Sequence, residues 1–238
     1  MEAEAVQKPE RVLVIGAHPD DLEFGCAGTM ALWARQGKEI FYLLSTRGDK
    51  GTPDSRITPE ELAALRESEQ VAAAKVVGVR EVTFLDFRDG ELKYEIPYIG
   101  AVVRAIRTYK PDIVFCPDPL MYWREGYINH PDHRICGEVA MAAVFPYARD
   151  RLHFNEQIEE GLDTHKVKEV YLFFTDKPNT WVDICETLDV KIEALKQHYT
   201  QVGEWDQLPE MIKLRAAQAG EEKGIACAES FHHIVLRS

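Results

Sequence analysis

Four short apolar runs, separated by longer polar or helix-forming stretches, constrain this chain more than any other feature. Val12 to Gly16, Glu39 to Ser45, Val82 to Leu85 and Ile113 to Cys116 are near-continuous in apolar residues rather than alternating. Such runs suit strands buried on both faces, as in a parallel sheet covered by helices. Between them lie three stretches with helix signals. Cys26 to Gln36 is followed by Gly37, a C-terminal stop. Thr58-Pro59-Glu60-Glu61 supplies an N-cap hydroxyl, a proline at the first helical position and acids in the first turn, and the helix it starts stops at Gly78. Ile96 to Tyr109 ends at Lys110-Pro111-Asp112. The alternation predicts an α/β fold, Rossmann-like and three-layered (α/β/α), with a mainly parallel sheet.

Further along, Asp132 to Ala148 reads as a helix, Arg149 to Val167 as a polar connection and Glu169 to Phe174 as a fifth strand. A short strand at Trp181 to Ile184, helices at Cys185 to Tyr199 and Leu208 to Lys223, and a terminal strand from Ile225 to Ser230 would form a C-terminal α/β elaboration. Residues 1–238 are expected to make one domain, and the 45% apolar content is enough for a full core. A formal net charge of -12 disfavours nucleic acid or an anionic membrane as partner. Residues 1 to 10 read as a loose lead-in without the apolar core of a signal peptide. No apolar run approaches the ~20 residues of a membrane span. Five scattered cysteines without a C-x-x-C pair suit reduced thiols and a cytoplasmic location.

Chemistry concentrates in two clusters. Ala17-His18-Pro19-Asp20-Asp21 follows the first apolar run, and His130-Pro131-Asp132-His133 follows the fourth after a loop, Pro117 to Asn129. In doubly wound sheets, sites lie outside the carboxyl ends of the strands at the switch point, so both clusters are expected there. A catalytic zinc site needs three protein ligands, an open position and a base. His18 and Asp21, three residues apart, and His133 at a helix start fit the ligand set. Asp20 is left as general base. His130 is then a cation that stabilises the oxyanion or protonates the leaving amine, with Asp132 orienting it. Each piece also has a plainer reading. Asp20 and Asp21 alone would cap a helix, and His130 and His133 alone would be surface or capping residues. Other divalent ions fit the same ligands. The first loop reads G-A-H-P-D-D and not G-x-G-x-x-G, which opposes a dinucleotide site, and no G-x-S-x-G elbow appears. Gly25 and Gly28 are expected to let the first helix pack closely.

At these residues the chain resembles the PIG-L/LmbE-type zinc-dependent de-N-acetylases. AHPDDLEFGCAGTM (17–30) and HPDH (130–133) match that family's hallmarks, and LRESEQVAAAKVVGV, KIEALKQHYTQ and AESF match it more loosely. The resemblance implies one Zn2+ per chain on His18, Asp21 and His133, with Asp20 as base and His130 as electrostatic stabiliser or acid, oriented by Asp132. It implies removal of acetyl from an N-acetylglucosamine-type substrate, a small N-acetyl amino sugar conjugate, with Arg66 reaching substrate hydroxyls or a charged aglycone. Arg66 otherwise pairs with Glu69 on a solvated helix face. His198 belongs either to the pocket or to a helix surface, and Glu229 and Phe231 to packing and capping. The 117–129 loop is longer than in compact members, so Trp123, Arg124 and Tyr127 are expected to shape the substrate pocket or an oligomer contact. A homo-oligomer, trimer or hexamer, is expected. The rivals are an amidase of another acylated amine or thiol-sugar conjugate, and a non-catalytic, metal-containing sugar-binding module.

Overall fold

The computed structural model describes residues 9–237, so most of the expected lead-in lies outside the described residues. The strands are β1 (Arg11–Gly16), β2 (Glu39–Thr46), β3 (Glu81–Phe87), β4 (Ile113–Pro117), β5 (Trp123–Arg124), β6 (Tyr127–Ile128), β7 (Glu169–Phe173), β8 (Thr180–Asp183) and β9 (Ala228–Val235). The helices are α1 (Asp21–Arg35), α2 (Pro59–Val77), α3 (Ile96–Tyr109), α4 (Pro131–Val144), α5 (Asn155–Glu159), α6 (Leu188–Lys196), α7 (Tyr199–Val202) and α8 (Leu208–Gly220). Seven strands form one sheet in the order β3-β2-β1-β4-β7-β9-β8. The first five are parallel, and β9 runs antiparallel to both β7 and β8. β5 and β6 form a separate two-stranded hairpin inside the 117–129 loop.

The continuous apolar runs are explained by burial on both faces. Leu13, Ile15, Phe41, Leu43, Val114 and Cys116 face α3 and α4. Val12, Val14, Ile40, Tyr42, Leu44 and Phe115 face α1, α2 and Ala194 of α6. Successive residues alternate between the two cores because a strand's side chains alternate sides. Gly25 and Gly28 do allow α1 to pack closely: an added Cβ would lie 2.7 Å from Phe173 and 2.7 Å from Ile184 respectively.

Several boundaries differ from expectation. α1 begins at Asp21, five residues before the expected Cys26, because Asp20 adopts a left-handed backbone (φ 95°) that turns the chain directly from loop into helix. The helix expected from Cys185 to Tyr199 breaks into α6 and α7 around His198, whose side chain turns inward. The terminal strand runs from Ala228 to Val235 rather than from Ile225 to Ser230. The helix after the second cluster ends at Val144, short of Ala148.

β1 is the switch point: the chain leaves it toward β2 and β3, then returns to its other side as β4. The loops after β1 and β4 therefore emerge side by side, carrying residues 17–21 and 117–133. No helix among the described residues is long and apolar enough to cross a membrane.

Candidate active site

The two clusters meet at the floor of a cavity of about 890 Å³ lined by His18, Asp20, Asp21, His130 and His133 among others. Asp21 stands at its centre. Its Oδ2 accepts the backbone N–H groups of Ala17 (3.0 Å) and His18 (2.9 Å), which pins the loop back onto the first turn of α1. The same oxygen is 3.6 Å from His18 Nδ1, and Oδ1 is 3.0 Å from His133 Nε2. The carboxyl is held well below the usual carboxylate range: burial opposes ionisation, and His133 and His18 outweigh it.

Each imidazole is anchored through its other nitrogen. His18 Nε2 lies 3.2 Å from Asp132 Oδ2 and 3.1 Å from Asp89 Oδ1. Burial lowers the affinity of His18 for a proton, but Asp132, Asp21 and Asp89 reverse this and hold its pKa well above the ordinary histidine value. His133 Nδ1 lies 2.9 Å from Asn129 Oδ1, an acceptor, so a ring proton belongs on Nδ1, and Nε2 is the nitrogen that faces Asp21. Asn129 is in turn fixed by its amide, which donates to Met121 O (2.7 Å). Two imidazole nitrogens and a carboxylate oxygen converging in a buried pocket need either ring protons or a cation between them. Outer acceptors that fix the ring of a ligating histidine are the usual companions of a metal site. The donor set of His18, Asp21 and His133 therefore fits a divalent cation. His18 with His130 and His133, and His18 with Asp89 and Asp132, also bring potential ligand atoms within 4.8 Å of one another.

Asp132 departs from the expectation that it orients His130. Its carboxylate bonds His18 and the N–H of Gly90 (2.7 Å), while its own backbone N–H donates to His130 Nδ1 (3.2 Å). His130 caps α4 in this way, so its proton sits on Nε2. Burial, followed by the His18 imidazole, presses its pKa below the ordinary value. His130 is thus arranged as a neutral Nε2–H donor rather than the expected cation.

Asp20 lies beside the cluster with its side chain 17% exposed. Burial and the adjacent Asp21 raise its pKa to about 6. Its backbone N–H donates to Gln70 Oε1 (3.1 Å), Gln70 Nε2 donates to Glu23 Oε1 (2.9 Å), and Glu23 Oε2 lies 3.0 Å from His198 Nε2. Glu23, Gln70 and His198 are all fully buried. This chain of polar side chains supports the non-glycine left-handed turn at Asp20, a conformation that costs on the order of 1–3 kcal/mol.

Arg66 lines the cavity, as a substrate contact would, and is not on a solvated helix face. It is buried, its Nη atoms donate to Pro19 O (2.7 Å), Lys50 O (3.2 Å) and Gly48 O (3.4 Å), and it lies 3.7 Å from Asp20 Oδ2 and 3.8 Å from Asp89 Oδ2. It clamps the loops after β1 and β2. Glu69, its expected partner, instead accepts the N–H and hydroxyl of Thr200. Of the expected substrate contacts, Arg66 and Tyr127 line the cavity, together with Arg124. Trp123 is outside the lining and 68% exposed. Glu229 is buried against Lys191 and accepts the N–H groups of Gly28 and Thr29, while Phe231 is in the core.

Sequence reasoning missed Asp89, Glu23, Gln70 and Asn129. Asn129, four residues before His133, and Glu23, inside the 17–30 motif, carried the local signals.

The model of the PIG-L family, described as GlcNAc-PI de-N-acetylase, matches residues 13–144. The diacetylchitobiose deacetylase of Thermococcus kodakarensis is 34% identical over 227 residues, covering 94% of this chain and 83% of that protein. A probable N-acetyl-alpha-D-glucosaminyl L-malate deacetylase 2 of Bacillus subtilis is 30% identical, covering 86% of this chain and 89% of that protein. Among solved structures, the N,N'-diacetylchitobiose deacetylase from Pyrococcus horikoshii, in complex with an inhibitor, superimposes with a TM-score of 0.88 at 31% identity, covering 95% of this chain and 84% of that one. The chain belongs to the PIG-L, GlcNAc-PI de-N-acetylase, family.

Proposed function

We propose that the protein is a metal-dependent hydrolase that removes the acetyl group from an N-acetylglucosamine-type amino sugar and releases acetate. The observation that carries this reading is the convergence of His18, Asp21 and His133, each imidazole tied at its far nitrogen, beside Asp20 at the floor of a cavity. The deacetylase names of the similar proteins support the substrate class.

His18, Asp21 and His133 would hold the metal, with zinc the first choice for two imidazoles and a carboxylate. When bound, a dication there supplies Lewis-acid polarisation of the amide carbonyl and acidifies the attacking water. Asp20, with a pKa near 6, takes the proton of that water and is matched to give it up again near neutral pH. As the carbonyl oxygen gains charge, His130 donates its Nε2–H to it. Asp20 then returns the proton to the amine nitrogen as the C–N bond breaks. The products are acetate and the free amino sugar. Arg66, Gln70, Asp132 and Asn129 act by holding these groups in place.

Two expectations stay with this proposal. A homo-oligomer, trimer or hexamer, is supported by Leu120, Trp123 and Ile128, which stand 80%, 68% and 80% exposed around the β5–β6 hairpin. Light scattering on the purified protein checks it. A cytoplasmic location is supported by five free thiols, three of them buried.

The test is acetate release from N,N'-diacetylchitobiose and related N-acetylglucosamine conjugates by metal-loaded protein. Turnover that is lost on chelation and returns with zinc is the expected result. Metal-loaded protein inert on all of them would refute the reading.

A further inference from the structure

The five cysteines are of two kinds. Cys26, Cys116 and Cys136 are fully buried. Burial pushes the first two thiols well above the ordinary range and Cys136 up to about 12, which leaves all three inert. Cys185 is exposed and Cys227 half-buried, and these two meet although they are 42 positions apart. Neither lines the cavity of the candidate active site.

The backbone brings them together. β8 and β9 pair antiparallel as far as Asp183 opposite Ala228. Their ladder continues one step further, with the Ile184 N–H donating to Cys227 O (2.9 Å). Cys185 is the next residue. Its N–H donates to Asp183 Oδ1 (2.9 Å), and its Sγ lies 3.9 Å from the Cys227 carbonyl oxygen. Opposed residues of an antiparallel pair have Cα atoms about 5 Å apart, so a residue one step beyond stays near the ~6 Å that a disulfide spans. The thiols also act on each other. Cys185 is pushed up to about 12, by its hydrogen bond with Cys227 first, then by burial and by Asp183.

Both cysteines flank residues that grip α1. Two positions after Cys185, the Thr187 hydroxyl donates to Gly28 O (2.7 Å). Two positions after Cys227, Glu229 accepts the N–H groups of Gly28 (3.0 Å) and Thr29 (2.7 Å) and pairs with Lys191 of α6 (2.6 Å). A covalent link at this point would therefore fasten the start of β9 to the segment leading into α6, where both hold α1.

We propose that Cys185 and Cys227 form an oxidative modification site, which a small disulfide such as oxidised glutathione closes into a reversible intramolecular disulfide that staples the C-terminal part of the chain around α1. Cys185 keeps its proton while Cys227 is beside it, so Cys227 attacks first. Its thiolate displaces one glutathione thiolate, which takes up the proton that Cys227 released, and a mixed disulfide forms on Cys227. Cys185 then gives up its proton and attacks the Cys227 sulfur, and the second glutathione leaves as a thiol. Two protein thiols are oxidised and one glutathione disulfide is reduced to two thiols. The bond closes a long loop, so it favours the folded state by restricting the unfolded one.

The test treats the full-length protein with oxidised glutathione and reads three things: thiols titratable in denaturant, intact mass with peptide mapping, and melting temperature. The wild type should fall from five titratable thiols to three, with a mass lower by two hydrogens and one linked peptide pair containing Cys185 and Cys227. Its melting temperature should rise by about 5 °C or more, and dithiothreitol should reverse every change. Cys185→Ser should halt at a glutathione adduct on Cys227. The Cys185→Ser, Cys227→Ser double variant should show no oxidant-dependent shift in melting temperature. Separate glutathione adducts on both cysteines, unreacted thiols, or cross-links between chains in place of the internal bond would overturn the proposal. So would an internal bond that leaves the melting temperature unchanged or lowers it.

Discussion

At the scale of single residues, Asp20 carries the heaviest demand, because it must take a proton and give one back within a turnover. Asp20→Asn keeps the shape and the backbone bond to Gln70 but removes the base, and acetate release should fall by about 10²–10⁴-fold. Metal content should stay at the wild-type level. Turnover within a few-fold of wild type would remove Asp20 from the role. The pH profile follows from the same group. A base is active when ionised, so kcat/KM should fall as pH drops through about 6, the pKa of Asp20. A bound dication favours the carboxylate and can only move this limb lower. A limb centred above pH 7 in the metal-loaded enzyme would contradict the assignment. Asn129 is the second informative residue. Asn129→Leu removes the acceptor that fixes His133 Nδ1. Metal affinity, measured by competition with a chelator, should weaken by about 10–100-fold. An unchanged affinity would show that His133 needs no such anchor.

At the scale of elements, the site depends on how closely helices approach strand ends. Gly137 in α4 lies against the end of β4, where an added Cβ would come 2.2 Å from the Pro117 carbonyl oxygen. Gly137→Ala must push α4 away from the sheet, and overpacking of this kind costs about 1–3 kcal/mol. The melting temperature should drop by several degrees, and its survival would mean that α4 is not seated as described. The polar chain from α2 through α1 to the α6–α7 break makes a different prediction. Gln70→Met keeps the volume but frees the Asp20 N–H, so kcat should fall by about ten- to a hundred-fold with KM little changed. Elements were also where local reading of the chain succeeded and stopped. Strand identity, the capping box at Thr58 and both His/Asp clusters were legible because apolar runs and cap residues act within a few positions. The α1 start was not, since the left-handed turn at Asp20 is stabilised by Gln70, fifty residues away. Nor was the break at His198, whose side chain is drawn inward by Glu23 from 175 residues away.

At the scale of the whole molecule, sheet topology turns two distant motifs into one site. β1 and β4 are neighbours although their paired residues Val12 and Ile113 are 101 positions apart, with α1, β2, α2, β3 and α3 between them. Placement of both clusters beyond strand ends was therefore legible from the β-helix-β alternation alone. Asp89, delivered by the turn after β3, was not, because nothing in its own segment distinguishes it from a solvated loop acid. Its approach to His18 arises only when three loops converge. A site that converges this way is stabilised by what fills it. Saturating zinc, at about a hundred times its dissociation constant, should add roughly 2.7 kcal/mol to the folded state. The melting temperature should therefore rise on loading. The central claim is metal-dependent removal of acetyl at this site. The most direct measurement is acetate released from an N-acetylglucosamine conjugate by one preparation, stripped and then reloaded, with metal content read by elemental analysis at each stage. The account predicts about one metal ion per chain and turnover that disappears and returns with it. Acetate release that is unchanged in the stripped protein, or absent from the fully loaded one, would contradict it.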